Sequence, residues 1–286
     1  MNSNMSNDKN DNDNLIKVGV LFVGKMSCID DIEINHPWLF EKNDKIQYNI
    51  YISTWQDKNS DVLKKTRLFE MSDNVFLHDR ETFYECLKKQ PSFYEFCKLD
   101  GTRSDDNITA SINHIFSQFY LFWKVSQFIE NDNENDLYIK MRTDSITKNL
   151  NINNMIFDKL IFYIKNTNKN REKNLPSDFF WNSFTSDSNV SNLKISFAQL
   201  YFTHNKFSMI NDVFFCFNKF KISDFANINF METCIRLYNK VYKMQYETEN
   251  IKITTGGEYI WWELLQMNDS FILPIIGGFP KIYTND

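Results

Sequence analysis

Asp136-Leu137-Tyr138-Ile139-Lys140-Met141-Arg142-Thr143-Asp144-Ser145 is the stretch that decides the fold of this chain. Leu137, Ile139 and Met141 alternate with Tyr138, Lys140 and Arg142, the period of two that marks a strand. At its carboxyl end an Arg and an Asp stand two residues apart, and small polar residues follow. In open α/β sheets ligands bind beyond the carboxyl ends of the strands. An acidic residue there is placed to hold a metal-bound phosphate.

Upstream, residues 106–130 predict a helix. Ile112, Ile115, Phe116, Phe119, Phe122, Trp123, Ser126 and Ile129 fall at three- and four-residue steps, and Asp105-Asp106 suit its N-terminus. The polar run 131–135 ends it. A helix feeding directly into a strand is the second half of a right-handed crossover, so the stretch around Arg142 is expected in mid-sheet. Residues 15–24 form the strongest strand signal, nearly continuous and apolar, as for a strand covered on both faces. Gly24 then lets the backbone turn tightly or approach a ligand closely. Residues 27–45 read as a loop with a short helix around Pro37-Trp38-Leu39-Phe40. Residues 46–55 are a second strand, ending in Ser53, Thr54 and Trp55, and 75–78 a short third. Segments 60–70 and 81–97 have helical composition. Strands alternating with helices imply βαβ units and a mostly parallel sheet.

Downstream, 149–154 reads as loop, 155–165 as strand or helix, and 166–176 as a polar loop. Residues 193–203 and 213–217 predict strands, with Ile210-Asn211-Asp212 between them. Residues 225–246 predict a long amphipathic helix. Thr254-Thr255-Gly256-Gly257-Glu258 is a turn with helix-cap chemistry before the apolar run 259–265, and 271–283 is expected to return to the sheet. With no repeat and no linker, the expected organisation is a disordered Asn/Asp-rich leader over 1–14 and a single domain over 15–286.

Composition narrows the functional class. The 286 residues are 42% hydrophobic and 16% aromatic, enough for a sizeable core. A net charge of -5, with lysines spread along the chain, argues against nucleic acid as partner. The five cysteines are odd in number and lack a CxxC, which favours reduced thiols in a cytoplasmic protein. Neither a signal peptide nor a transmembrane segment is visible, so the expectation is a cytoplasmic protein, compatible with peripheral association with a membrane. GxSxG, GxxxxGK[ST], GxGxxG and HExxH are all missing, which disfavours the chemistries those motifs serve.

What remains is a set of polar residues at strand ends: Gly24; Ser53, Thr54 and Trp55; Arg142, Thr143 and Asp144; Asn211 and Asp212; and Glu258. Their order, with Gln118 on the preceding helix, resembles the GT-A fold glycosyltransferases of surface-polysaccharide synthesis, including the WavE-like lipopolysaccharide-synthesis type. The resemblance spans about residues 15–265. It implies an α/β, GT-A-like single domain with a mostly parallel central sheet and helices on both faces. It also implies transfer of a sugar from a nucleoside-diphosphate donor to a glycan or glycolipid acceptor.

In that family a mid-sheet strand ends in Asp-x-Asp, whose last Asp binds a divalent cation on the donor diphosphate. Asp144 matches that Asp, and Arg142 stands where the first would be. The resemblance therefore implies Mn²⁺ or Mg²⁺ at Asp144, or direct neutralisation of the diphosphate by the Arg142 guanidinium. Gly24, Ser53, Thr54, Trp55, Gln118, Arg142 and Thr143 would contact the donor. Asp212, or else Glu258, would take the acceptor hydroxyl proton, and Trp261 and Trp262 would offer an acceptor platform.

Each of these residues also has a structural reading. Arg142 and Asp144 can be an ion pair at a strand end, Asp212 a turn residue and Glu258 a first-turn helix acid. Trp55, Trp261 and Trp262 suit a core as well as a pocket, and Gln118 suits a buried hydrogen bond. Two rival functions follow: a nucleotidyltransferase on a related sheet, and a non-catalytic glycan-binding or scaffold protein with a degenerate site.

Overall fold

A computed structural model describes residues 15–91, 109–131, 134–148, 152–154, 194–202, 208–247, 256–266, 271–274 and 281–282. The strands are β1 (Ile16–Val23), β2 (Ile46–Trp55), β3 (Asn74–His78), β4 (Leu137–Met141), β5 (Ser145–Ile146), β6 (Ile195–Phe202), β7 (Ser208–Asn218), β8 (Phe271–Pro274) and β9 (Lys281–Ile282). The helices are α1 (Ile32–Asn35), α2 (Lys58–Leu63), α3 (Arg67–Met71), α4 (Arg80–Lys88), α5 (Thr109–Asn131), α6 (Ile152–Asn154), α7 (Ile222–Ala226), α8 (Phe230–Glu247) and α9 (Gly256–Leu265).

Among the described residues, seven strands make one sheet in the order β3-β2-β1-β4-β7-β6-β8. β3, β2, β1 and β4 are parallel. β7 runs antiparallel to both β4 and β6, and β8 is parallel to β6. The protein is thus α/β with a mostly parallel sheet in which β7 alone is reversed. β5 and β9 form a separate antiparallel pair.

Both faces of the sheet are covered, which explains the nearly continuous apolar run of β1. On one face Val18, Val20, Phe22, Ile50, Ile52, Ile139 and Met141 pack with Met26, Ile29, Trp38, Leu39, Leu63 and Leu68. On the other, Leu21, Val23, Tyr138, Phe215 and Phe217 meet Phe119 and Phe122 of α5, Phe225 of α7, Phe230 of α8 and Trp261 of α9. Phe122 is the hub of that layer, with ring centroids of Phe215, Phe217, Phe225 and Trp261 at 6.0, 6.0, 4.9 and 5.3 Å. Pairs in this edge-to-face geometry contribute about 0.5–1.5 kcal/mol each beyond area burial.

β4 lies between β1 and β7, in mid-sheet as its sequence setting predicts. Elsewhere boundaries move for local reasons. The helix expected over 60–70 is two, because Thr66 Oγ1 accepts from Phe69 N and starts α3 afresh. The helix expected from 225 begins at Phe230: Asn227 Nδ2 donates to Ser223 O at 3.1 Å, closing α7, and Asn229 Oδ1 accepts from Glu232 N at 3.3 Å, opening α8. β7 extends back to Ser208, so Asp212 lies inside a strand and not ahead of one. α4 ends at Lys88. The expectations for 1–14, 92–97, Asp105-Asp106, 155–165, 166–176 and Thr254-Thr255 lie outside the described residues. No described helix is long and apolar enough to cross a membrane.

Candidate functional site

β1, β2 and β3 step outward in one direction, while β4 sits on the other side of β1. The strand order therefore reverses between β1 and β4, and the crevice outside the carboxyl ends at such a switch point is where open α/β sheets take ligands. The last pair in that register is Phe22 with Met141, so Gly24 and Arg142 follow on neighbouring strands.

Gly24 has φ +123°, a conformation that L side chains rarely adopt, and its N–H donates to Ser53 O at 3.2 Å. Four residues on, Cys28 is left-handed at φ 57° without being glycine, a strain of about 1–2 kcal/mol. The loop between them is tied down by Thr143, which is fully buried. Its hydroxyl donates to Ser27 O at 2.8 Å, with Lys25 O at 3.2 Å.

Arg142 folds back on Asp144. Its Nε donates to Oδ1 at 2.8 Å and its Nη2 to Oδ2, a bidentate fork on one carboxylate. The Asp144 side chain is only 14% exposed and Arg142 30%, so the pair is shielded from water without being sealed. Ser145 closes the turn, its Oγ donating to Arg142 O at 2.5 Å.

The next residues are clamped to the α1 end. Thr147 Oγ1 donates to Asn35 O at 3.0 Å, while Trp38 Nε1 and His36 Nδ1 both lie at 2.7 Å from it. The one hydroxyl proton is spent on Asn35 and the indole can only donate, so His36 Nδ1 carries the hydrogen and donates as well. Burial holds the His36 imidazole down at about 4, against the pull of the Thr143 backbone and the Asp144 charge. The Cys28 thiol is pushed up by burial, then by Asp144 and Asp31.

The residues expected to contact a donor divide into two groups. Gly24, Gln118, Arg142, Thr143 and Asp144 gather around the ends of β1 and β4. Ser53 and Trp55 are turned into the molecule, and Thr54 is buried beside them. Ser53 Oγ donates to Leu121 O at 2.8 Å and lies 3.1 Å from His78 Nε2. Trp55 stacks on Tyr120 at 6.0 Å and packs on Phe83 at 5.6 Å, with the Arg80 guanidinium 5.2 Å from its ring. Trp261 is fully buried and Trp262 only partly so. Asp212 lies within β7 and Glu258 in the first turn of α9; their side chains are outside the described set.

Lys140 is a site neighbour that the alternation of β4 alone does not single out. It is fully buried. Its Nζ donates to Gln118 Oε1 at 3.3 Å and stands 4.7 Å from the Trp261 ring and 5.5 Å from that of Phe215. No local signal in β4 marks it, because the rings around its ammonium, Trp261 and Phe215, come from distant parts of the chain.

Comparison of the chain with family models, with curated proteins and with solved structures finds no match.

Proposed function

We propose that the chain is a nucleotide-sugar-dependent glycosyltransferase of GT-A type, one domain over 15–286 moving a hexose-type sugar from a nucleoside-diphosphate donor to a glycan or glycolipid acceptor. The observation that carries this is the bidentate Arg142–Asp144 pair seated beside Gly24 at the β1–β4 switch point. A partly exposed guanidinium at that position suits a diphosphate, which matches its planar fork. We place the work in the cytoplasm, peripheral to a membrane where the acceptor is a glycolipid.

In this scheme Arg142 exchanges its internal carboxylate for the donor diphosphate. Thr143 holds the turn rigid from below, through the carbonyls of 25 and 27. As the sugar–phosphate bond breaks, negative charge grows on the leaving diphosphate and the fixed guanidinium meets it. Asp144, released from Arg142, offers hard oxygens; with donor oxygens it would hold Mn²⁺ or Mg²⁺, which when bound supplies further neutralising charge. Asp212 or Glu258 accepts the proton of the attacking hydroxyl. Gly24 and Gln118 line the donor side, with Ser53, Thr54 and Trp55 shaping it from beneath.

The saturation of Asp144 by Arg142 favours one rival over the nucleotidyltransferase: a glycan- or nucleotide-binding protein without turnover. Calorimetry with a panel of nucleoside diphosphates, with and without Mn²⁺, followed by assays of donor hydrolysis and transfer, tests both. The expected result is selective binding of one nucleoside diphosphate, with turnover abolished in Asp144→Asn while the far-UV circular dichroism is unchanged. Binding without turnover selects the rival, and no binding of any nucleotide overturns the assignment.

A further inference from the structure

Arg80 and Lys124 bring two positive charges to one aromatic pair. Trp55 and Tyr120 stack nearly parallel, with ring centroids 6.0 Å apart and planes at 7°. The Arg80 guanidinium lies 5.2 Å from the Trp55 ring, and Lys124 Nζ lies 5.5 Å from Tyr120 and 4.5 Å from Trp123. Arg80 is exposed and Lys124 half-buried. Among the described residues neither side chain makes an ion pair or a hydrogen bond. The acids beside Arg80 are engaged by other groups. Asp79 Oδ1 accepts from Glu81 N at 3.1 Å, and Glu81 Oε1 holds Lys88 Nζ at 2.8 Å.

The placement of these charges needs a reason. Arg80 is the first residue of α4, where the helix dipole favours an acid and disfavours a cation. Laying its guanidinium over Trp55 costs side-chain freedom and limits the directions in which its fork can point. Lys124 adds to the field: after burial, which acts more strongly, its charge helps to hold the His78 imidazole down. Like charges gathered on one surface concentrate anions there.

This surface is on the same edge of the sheet as the switch point. Trp55 and His78 are the last partners in register on β2 and β3, Arg80 follows two residues later, and Gly24 N–H is bonded to Ser53 O. β3 is three strands from β4, which separates Arg80 from Arg142 by roughly 14 Å across the sheet. One diphosphate does not span that distance, so the anion that Arg80 meets is a different group from the one at Arg142. A nucleoside-diphosphate hexose carries its negative charge on the diphosphate alone. The second anion therefore comes with the acceptor.

Building on the glycosyltransferase reading, we propose that Arg80 and Lys124 form a second anion site, which takes a carboxylate or phosphate oxyanion carried by the acceptor glycan. The Arg80 fork matches two oxygens of such a group, Lys124 supplies a point charge, and Trp55 steadies the fork. The acceptor class is then an acidic glycan.

Inorganic phosphate and glucuronate, with glucose as neutral control, test this on the full chain at constant ionic strength. The indole N–H resonance of Trp55, identified with Trp55→Phe, reports binding. The expected result is a saturable shift with phosphate or glucuronate and none with glucose, and the tighter of the two names the acidic group. Arg80→Gln should weaken that binding about tenfold or more and Lys124→Gln about threefold, both with an unchanged thermal midpoint. Arg80→Lys, which keeps the charge without the fork, should recover only part of the loss. No saturable shift, or an affinity unchanged in Arg80→Gln, overturns the inference. So does displacement of the oxyanion by a saturating nucleoside diphosphate, which would make the site part of the donor pocket. Nucleoside diphosphates that bind while no oxyanion does leave the donor assignment standing. Absence of nucleotide binding in the wild type overturns the glycosyltransferase reading and, with it, the assignment of the anion to an acceptor.

Discussion

Gly19 and Tyr138 face each other across β1 and β4, so closely that the ring occupies the place of a side chain. A Cβ on Gly19 would lie 2.5 Å from Tyr138 Cδ1 and 2.6 Å from Cε1. Tyr138 cannot retreat, because it is fully buried and stacked on Phe217 at 5.5 Å. Gly19→Ala should therefore destabilise the protein by about 1–3 kcal/mol, the range for overpacking a tight interior. Urea denaturation with an unchanged m-value would measure it, and a variant as stable as the parent would refute the steric account.

Thr147 is the second weak point. One hydroxyl serves the Asn35 carbonyl, the Trp38 indole and the His36 ring. Thr147→Val keeps the shape and removes all three bonds, leaving buried donors without a partner at about 1–3 kcal/mol each. The expected signature is a fall in stability together with a changed Trp38 environment in fluorescence. Thr147→Ser, which keeps the hydroxyl, should restore most of the loss.

At the other end of the sheet, Asp224 is shared by two lysines, Lys194 Nζ at 2.5 Å and Lys221 Nζ at 2.9 Å. Lys221 is fully buried, and burial pulls its ammonium down to about 8 against the hold of Asp224. Asp224→Asn leaves a buried cation without its carboxylate and should cost about 3–5 kcal/mol. Lys194→Met removes the more exposed partner and should cost much less. Chemical denaturation of the two variants side by side checks the ranking.

Acid should act through the histidines before it reaches the carboxylates. Burial lowers both His36 and His78 to about 4, His78 with Lys124 adding to the effect. Above the ordinary value of 6.5 both states hold neutral rings and the stability is complete. Below it the unfolded chain takes up protons that the folded one refuses, so stability falls as the pH drops toward 4. For His36 the slope is about 1.4 kcal/mol per pH unit; for the less buried His78 it is smaller. Denaturation midpoints between pH 7 and pH 5 read this directly, ahead of most carboxylate titration. A flat profile there would show that the rings are not held neutral.

The strands that build the switch point were legible because their cause is local. A strand covered on both faces is an apolar run, and 16–23 shows it nearly from end to end. Gly24 after such a run and Arg142–Asp144 after another are equally local signals. β7 was harder to delimit, since Ser208 to Ile210 are held in the strand by pairing with β6, and composition does not display a partner. Trp55 shows a different limit: an indole serves a core or a pocket alike, and only Tyr120, Phe83 and Arg80 decide its surroundings. Lys140 could not be found from β4, because what makes it unusual is Trp261 and Phe215, which arrive from distant parts of the chain.

The small β5–β9 pair has a consequence for how the protein is made. Ser145 and Ile146, which leave the Asp144 turn, take Ile282 and Lys281 as their strand partners. The turn that carries the Arg142–Asp144 pair leaves the ribosome well before residues 281–282, which supply its neighbouring strand. A nascent chain that has not reached Lys281 therefore holds this turn through Thr143 and Thr147, and one stopped there keeps its charged turn but lacks the β9 strand beside it.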